Sequence, residues 1–423
     1  MRDFLPEDKA RREGVLSSIR TSFAAFGYRE IETPVAEDLR RLESGQGGDN
    51  EKLIYKVLKR GLAPDVAVEP GEAVDLGLRF DLTVPLARFY ATHRAELPDV
   101  FRSIQIAPVW RAERPQKGRY RQFTQCDIDV LGEPSNLAEI ELITATAAAI
   151  DGLGIEGTSV RINDRRVLLG LLDDCGYEPA ARAGALVIID KLDKIGIDGV
   201  GAELAAAGAG LPDRLVAVLE ATVAAAGGGG AGVFDATLAA LPPSASEAAG
   251  DLRDIKVGVA VAAPEVNLVA DPTLVRGMGY YTGPIFELSH PSLSASVGGG
   301  GRYDGMIGRF AGRDVAGCGF SIGFERIVDL VDEGRMAPGR RRLAVLHDGG
   351  SDPGVVVAWQ RRLIAEDADV RIVRRIRNHS RLLDQLAAEG FSAYLDLATV
   401  VKPPGQGEPL PGLSAIRPVR GVR

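Results

Sequence analysis

The stretch FRSIQIAPVWRAERPQKGRYRQFTQCDIDVLG, residues 101–132, decides the fold. It reads as two strands flanking an arginine-rich loop. Polar and apolar residues alternate from Gln122 to Leu131, the period of a strand with one buried face. Pro115 and Gly118 punctuate the loop between the strands. Arg111, Arg114, Lys117, Arg119 and Arg121 crowd into it. Such a hairpin holds several cations over one face of a sheet. Two readings fit. Polyphosphates need converging cations, and arginine forks match phosphate oxygens bidentately. A solvated charged hairpin carries the same residues.

Working outward, Asp8 to Phe26 carries Val15, Ile19, Phe23 and Phe26 at helical spacing and stops at Gly27. YREIETPV, residues 28–35, alternates and closes on Pro34, the pattern of a short strand. LGLRFDLTVP at 76–85 reads as another strand, followed by a helix from Leu86 to His93. Beyond the hairpin, a helix over 138–153 leads to a strand over 159–163. The chain then becomes helical and rich in Ala and Gly to about residue 256, with a glycine run at 227–230 as a connection between helices. Strands are predicted again at 257–261, 274–275 and 285–288. Two glycine-rich runs follow, VGGGGRYDG at 297–305 and GCGFSIGFER at 317–326. Glycines let a backbone approach a ligand closely. Neither run is a dinucleotide fingerprint, which follows a strand early in a βαβ unit. The second reads as a strand running into a helix, with Arg326 near the helix start.

MAPGRRR at 336–342 has the composition of a linker. After it, strand and helix patterns alternate as βαβαβ to residue 395, a small α/β domain. Arg371, Arg374, Arg375, Arg377 and Arg381 sit on its second strand and the loop beyond. They suit a nucleic-acid contact and equally a solvated basic edge. The Pro- and Gly-rich stretch after residue 399 shows no readable final strand.

The 423 residues suffice for about two to three domains. Lys+Arg 50 against Asp+Glu 58 leaves a net charge of −8, so any nucleic-acid contact must use local patches. Cys126, Cys175 and Cys318 lie far apart and fit neither zinc spacing nor a disulfide framework, which points to a reducing compartment. The start, MRDFLPEDKARRE, has no apolar leader core, and no apolar run is long enough to span a membrane. A cytoplasmic protein without membrane attachment is the expectation. None of the four histidines belongs to a closely spaced metal-binding pair.

Three blocks line up in order: FGYREIETPV, the arginine hairpin with R-x-E at 111–113 and GRYRQF at 118–123, and GFSIGFER ending in Arg326. Together they resemble the three motifs of class II aminoacyl-tRNA synthetases. LRFDLTVP at 78–85, QCDID at 125–129, LVRGMGYYTG at 274–283 and GGRYDG at 300–305 are similar to blocks of the histidyl-tRNA synthetase family, as are RDFLPEDKARRE and RINDRRVLLGLL. The resemblance runs in order over about residues 2–330 and continues more weakly over 343–395.

The resemblance implies an α+β fold, an antiparallel six-stranded sheet flanked by helices, with a helical insertion and a small C-terminal α/β domain. The expected limits are a catalytic domain over 1–330 with the insertion at about 175–255, a linker at 331–342, and an anticodon-binding-like domain over 343–423, shortened at its end. It implies a homodimer, with the first motif at its interface. It implies the two-step ligation of histidine to tRNA(His): attack of the histidine carboxylate on the α-phosphorus of ATP, then acylation of the terminal ribose. Arg111 is expected on the α-phosphate, Glu113 on the adenine amino group and Phe123 stacked on the ring. Arg119 or Arg121 is expected on the terminal phosphates and Arg326 on the far side of the nucleotide. Arg276 resembles an extra catalytic arginine that contacts the α-phosphate and the substrate carboxylate. One or more Mg²⁺ ions would bridge phosphate oxygens. Asp81, Thr83 and Gln125 are expected on the histidine α-amino group, and Asp129 and Tyr281, with Tyr280 beside it, at the imidazole.

The chain departs from the family in one informative place. Where RGLDYYT is usual, RGMGYYT stands, so Gly279 removes a carboxylate beside Arg276 and Tyr281. Two other readings stay open on these residues. One is a histidine-binding regulatory subunit of ATP phosphoribosyltransferase, which usually erodes the hairpin loop that is intact here. The other is a specialised synthetase-like paralogue.

Overall fold

The structure, a computed structural model, describes residues 1–43, 53–61, 73–114, 120–226, 232–275, 280–293, 295–331, 341–348, 350–399 and 416–419. The chain divides into two compact units, Met1–Met336 and Ala337–Arg423.

In the first unit, helix α1 (Pro6–Ala25) turns Val15, Leu16, Ile19 and Phe23 into the core. Phe26, predicted on that face, is instead exposed, because the helix ends one residue before it. Strand β1 is only Arg29–Glu30, shorter than expected, and pairs in parallel with the hairpin. A small sheet follows, β2 (Ala36–Asp38), helix α2 (Leu39–Glu43), β3 (Tyr55–Leu58) and β4 (Val74–Leu78) in the order β2-β4-β3. The predicted strand 76–85 stops at Leu78. Arg79 turns the chain there, its Nε donating to the Pro108 carbonyl at 3.0 Å and its Nη1 to that of Thr33 at 2.7 Å. Thr83 to Pro85 already belong to helix α3 (Thr83–His93), where a proline in the first turn sacrifices no helical hydrogen bond.

The hairpin forms as read: β5 (Phe101–Trp110) and β6 (Gln122–Leu131) pair in register over their full length. Helix α4 (Leu137–Gly152) buries Leu142, Ile143, Ala145 and Ile150 and packs between α1 and the sheet. Strand β7 (Ser159–Asp164) then leads into helices α5 (Arg165–Asp174), α6 (Pro179–Ile189), α7 (Leu192–Ala207), α8 (Pro212–Ala226), α9 (Val233–Ala239) and α10 (Ser246–Ala262). The glycine run 227–230 lies outside the described residues.

The strand expected at 257–261 is the end of α10. Its valine alternation mimics a strand, but Leu252, Ile255 and Val259 are the buried residues, at helical spacing, while Val257 and Val261 stay 62% and 82% exposed. Tertiary packing overrides local propensity here. Gly258 lies so close to α4 that a Cβ would meet Ile140 at 2.3 Å. Strand β8 (Asn267–Ala270) follows, and the strand expected at 274–275 is a loop. The Asn163 amide donates to the carbonyls of Pro272 and Leu274 at 3.1 and 2.9 Å, so this backbone is satisfied without sheet pairing. Strands β9 (Pro284–Ser289), β10 (Gly298–Arg302) and β11 (Gly317–Gly323), with helices α11 (Asp304–Ala311) and α12 (Phe324–Leu330), complete the unit.

The main sheet has eight strands in the order β1-β5-β6-β11-β10-β9-β7-β8. Its six central strands, from β5 to β7, are all antiparallel. The two edge strands, β1 and β8, pair in parallel and extend the antiparallel sheet that was expected.

The second unit is a four-stranded sheet, β13-β12-β14-β15, built from β12 (Arg341–His347), helix α13 (Pro353–Ile364), β13 (Ala368–Arg374), helix α14 (His379–Ala388), β14 (Ala393–Asp396) and β15 (Ile416–Pro418). Strand β12 is buried on both faces. Leu343 and Val345 pack with Val356, Trp359 and Leu363, while Ala344 and Leu346 pack with Leu382 and Leu386. A final strand exists after all. β15 pairs antiparallel with β14 at an edge, where Pro418 is tolerated, and Val419 beside it is buried.

Candidate active site

Strand β6 carries the centre of the site. Its period of two puts Phe123, Gln125, Asp127 and Asp129 on one face, and all four line a cleft of about 330 Å³. Strand β11 lies beside it in register, with Gly323 opposite Gln125, Ser321 opposite Asp127 and Gly319 opposite Asp129. These small residues leave the space that the cleft occupies. A Cβ at Gly319 would sit 2.0 Å from Asp129 Oδ1, and one at Gly300 on β10 would sit 1.9 Å from the Gly319 carbonyl oxygen.

One end of the cleft collects buried acceptors. Asp81 is buried just before α3, and its Oδ1 accepts from the Val84 amide at 3.3 Å. Its Oδ2 is buried without a partner among the described residues. The Gln125 Oε1 is in the same condition. Burial pushes Asp81 up to about 6, against the pull of the Val84 amide and the Arg111 charge. Burial also pushes Asp129 up to about 7, opposed by the Tyr303 hydroxyl, which donates to Asp129 Oδ1 at 2.5 Å. Asp127 lies well above the carboxylate range, through burial and then the neighbouring charge of Asp129. Tyr280 and Tyr281, with ring centroids 4.7 Å apart, form the wall here, and Thr83 hydrogen bonds to the Tyr280 hydroxyl. Three buried carboxylate groups with raised proton affinity make this end a receptor for a cation or for several N–H donors.

The other end carries arginines and an aromatic ring. The Arg111 guanidinium lies 5.0 Å from the Phe123 ring centroid and its Nε donates to the Phe80 carbonyl at 3.0 Å. Glu113 and Tyr120 line this end, and so does Arg326, which donates to the Ser296 carbonyl. Glu325 braces it from behind. It accepts both Arg12 Nη atoms at 2.6 and 2.7 Å and the Thr124 amide at 3.2 Å, which ties α1 and α12 to β6.

Of the expected site residues, Asp81, Thr83, Arg111, Glu113, Phe123, Gln125, Asp129, Tyr280, Tyr281 and Arg326 line this one cleft. Arg121 is not among the lining residues. It is exposed, and its Nε donates to the Glu113 carbonyl at 3.1 Å, closing the base of the hairpin. Arg119, Arg276 and Gly279 lie outside the described residues.

A family model described as Histidyl-tRNA synthetase matches residues 1–327. The chain belongs to the histidyl-tRNA synthetase family. It is 54% identical over 402 residues to the histidine–tRNA ligase of Leifsonia xyli subsp. xyli, covering 93% of each protein. It is 42% identical to the probable histidine–tRNA ligase of Tropheryma whipplei strain Twist, over 96% of each. Among solved structures, histidyl-tRNA synthetase from Nostoc sp. PCC 7120 superposes with a TM-score of 0.74 at 26% identity, over 93% of this chain and 89% of that one. A protein from Bacillus halodurans described as an ATP phosphoribosyltransferase regulatory subunit/histidyl-tRNA synthetase superposes with a TM-score of 0.75. At 20% identity, over 94% of this chain and 95% of that one, the second likeness speaks for the fold alone.

For this synthetase-family chain, sequence reasoning passed over Asp127, Tyr303, Ser321 and Glu325 as site residues. Two of them carried a signal. Asp127 lies midway between Gln125 and Asp129 in QCDID, so the strand period alone puts it on their face. Tyr303 sits inside GGRYDG, a block already singled out. Ser321 and Glu325 act only through the register of β11 and the reach of α1, which no spacing in the sequence reveals.

Proposed function

We propose that the chain is a histidine–tRNA ligase, which activates histidine with ATP and transfers it to tRNA(His). One observation carries the reading. One cleft has buried acceptors with no partner among the described residues, Asp81 Oδ2 and Gln125 Oε1, at one end and Arg111 packed on Phe123 at the other. The first end suits an ammonium group and the second a nucleotide. An amino acid bound between them directs its carboxylate toward the phosphates.

The chemistry that follows is positioning and charge neutralisation rather than proton transfer. Arg111 holds the α-phosphate with one N–H face while Phe80 fixes the other side of its guanidinium. Phe123 supplies the surface on which adenine stacks, and Glu113 accepts from its amino group. Arg326 closes the nucleotide from the far side. Arg119 or Arg121 is assigned to the terminal phosphates, and Arg276 to the α-phosphate and the substrate carboxylate. Asp81, Thr83 and Gln125 take the α-ammonium. Asp129, Tyr280 and Tyr281 address the imidazole, which offers an N–H and an acceptor that both need partners. Among the described residues, no three His, Cys, Asp or Glu side chains form a metal nest. Mg²⁺ would enter with the nucleotide, whose phosphates would supply most of its ligands, and would neutralise charge there.

A histidine-binding regulatory subunit would use only the acidic end, and the Arg111–Phe123–Arg326 end speaks for the ligase instead. The exposed arginines Arg374, Arg375, Arg377 and Arg381 of the second unit support its assignment to the tRNA anticodon region. A homodimer is part of the same reading, supported by Leu58 and Leu76 exposed on the small sheet. No helix among the described residues is long and apolar enough to cross a membrane. The three cysteines are unpaired, which supports a cytoplasmic place of work. The test is histidine-dependent ATP–pyrophosphate exchange followed by tRNA(His) charging. No exchange at saturating histidine and ATP sinks the ligase, and exchange without charging favours a specialised paralogue.

A further inference from the structure

Asp127 is a buried group of the cleft that the mechanism above leaves unused. Asp127 sits at the middle of the β6 face, with Ser321 opposite it on β11 and Gln105 opposite it on β5. Its carboxyl is the neighbour of the Gln125 amide. Gln125 Nε2 lies 3.2 Å from Asp127 Oδ2, 3.4 Å from Oδ1 and 3.2 Å from Ser321 Oγ. Gln125 Oε1, by contrast, is buried with no partner among the described residues and lines the cleft.

An amide side chain has two faces of opposite character, and its shape alone does not choose between them. The NH₂ face would repel an ammonium group; the oxygen face would bind it. The Asp127 carboxyl keeps an acceptor oxygen whether neutral, the form that burial favours, or ionised, and both of its oxygens lie within 3.4 Å of Gln125 Nε2. Asp127 therefore takes the NH₂ of Gln125 and turns the oxygen into the cleft, toward the same space as the partnerless Asp81 Oδ2. We propose that Asp127 is a positioning residue for substrate amine recognition, which acts by fixing the orientation of the Gln125 amide. The inference rests on the assignment of this end of the cleft to the histidine α-ammonium.

The experiment is histidine binding by titration calorimetry on the full chain, with exchange kinetics in parallel. Asp127→Ala frees the Gln125 amide to turn. Its histidine Kd rises about tenfold, while the KM for ATP stays within about twofold of wild type. In a Gln125→Met background the amide is gone, and the same Asp127→Ala change then moves the histidine Kd by less than about twofold. The pair Gln125→Glu with Asp127→Asn keeps an acceptor toward the cleft and a donor behind it, and it restores affinity lost in Asp127→Ala. An unchanged Kd in Asp127→Ala overturns the proposal. So does an equal loss in the Gln125→Met background, which would mean that Asp127 acts directly or only through packing. A shifted KM for ATP also overturns it, as a general disturbance of the cleft. Failure of the wild type to bind histidine overturns the underlying assignment instead. Binding without exchange spares both Asp127 and the binding site but removes the ligase.

Discussion

Asp129 is held in a state that the fold disfavours, and this has a measurable price in stability. Its ordinary value is 3.8, and burial pushes it up to about 7 in the folded chain. Below the unfolded value both states are protonated and nothing is lost. Between 3.8 and about 7 the unfolded chain ionises while the folded one resists, so stability falls as pH rises. Above that the loss is complete, at about 4 kcal/mol for a gap of roughly three pH units. Asp129→Asn keeps an acceptor for the Tyr303 hydroxyl and removes the titration. The variant should therefore be more stable than wild type by about 4 kcal/mol at pH 8 and by only about 1 kcal/mol at pH 4.5. At about 2.1 cal/mol/K per residue, the Met1–Met336 unit unfolds with roughly 0.7 kcal/mol/K, so the pH 8 gain is about 6 °C in Tm. Calorimetric melts of both proteins across this range read the difference, which includes the relief of Asp127, whose proton affinity burial and then the charge of Asp129 raise. The same variant should lose histidine affinity, so that saturating histidine raises its Tm less than that of wild type. A variant that melts at or below wild type at pH 8, or whose advantage does not shrink toward pH 4.5, would refute the reasoning.

Arg111→Ala should lower ATP–pyrophosphate exchange by about two to three orders of magnitude with the melting curve preserved, and near-normal exchange would remove Arg111 from the phosphate site. Gly319→Ala forces a methyl group against Asp129 Oδ1 and must displace it from Tyr303; we expect a loss of about 1–3 kcal/mol in stability and about tenfold in histidine affinity, both absent if the strands can part freely. Arg12→Met removes a bidentate partner of the buried Glu325, so Tm should fall by several degrees and the KM for ATP should rise. Wild-type melting in that variant would show that Arg2 alone suffices to hold Glu325.

Much of this molecule was legible along the chain because the relevant information is local. Residues 101–132 carry a strand period, a turn and a second strand period, and they fold as that hairpin. The same period fixes which side chains of β6 share a face, so Gln125 and Asp129 were readable together, and Asp127 with them. What failed was equally physical. KVGVAVA alternates like a strand, yet it ends a helix, because Leu252, Ile255 and Val259 find a core at helical spacing. LTVP reads as strand and begins a helix, because Arg79 ends β4 through carbonyls about thirty and more residues away in the chain. The sequence by itself determined most of the inventory of the candidate site, Asp81, Arg111, Glu113, Phe123, Gln125, Asp129, the tyrosine pair and Arg326, and the strand face that presents several of them. Only the tertiary structure decided their use. The register of β11 against β6 puts glycine or serine opposite each of Gln125, Asp127 and Asp129 and so opens the cleft. Burial, a property of the assembled fold and not of any segment, raises the proton affinity of Asp81, Asp127 and Asp129 and leaves two acceptor oxygens there with no partner among the described residues.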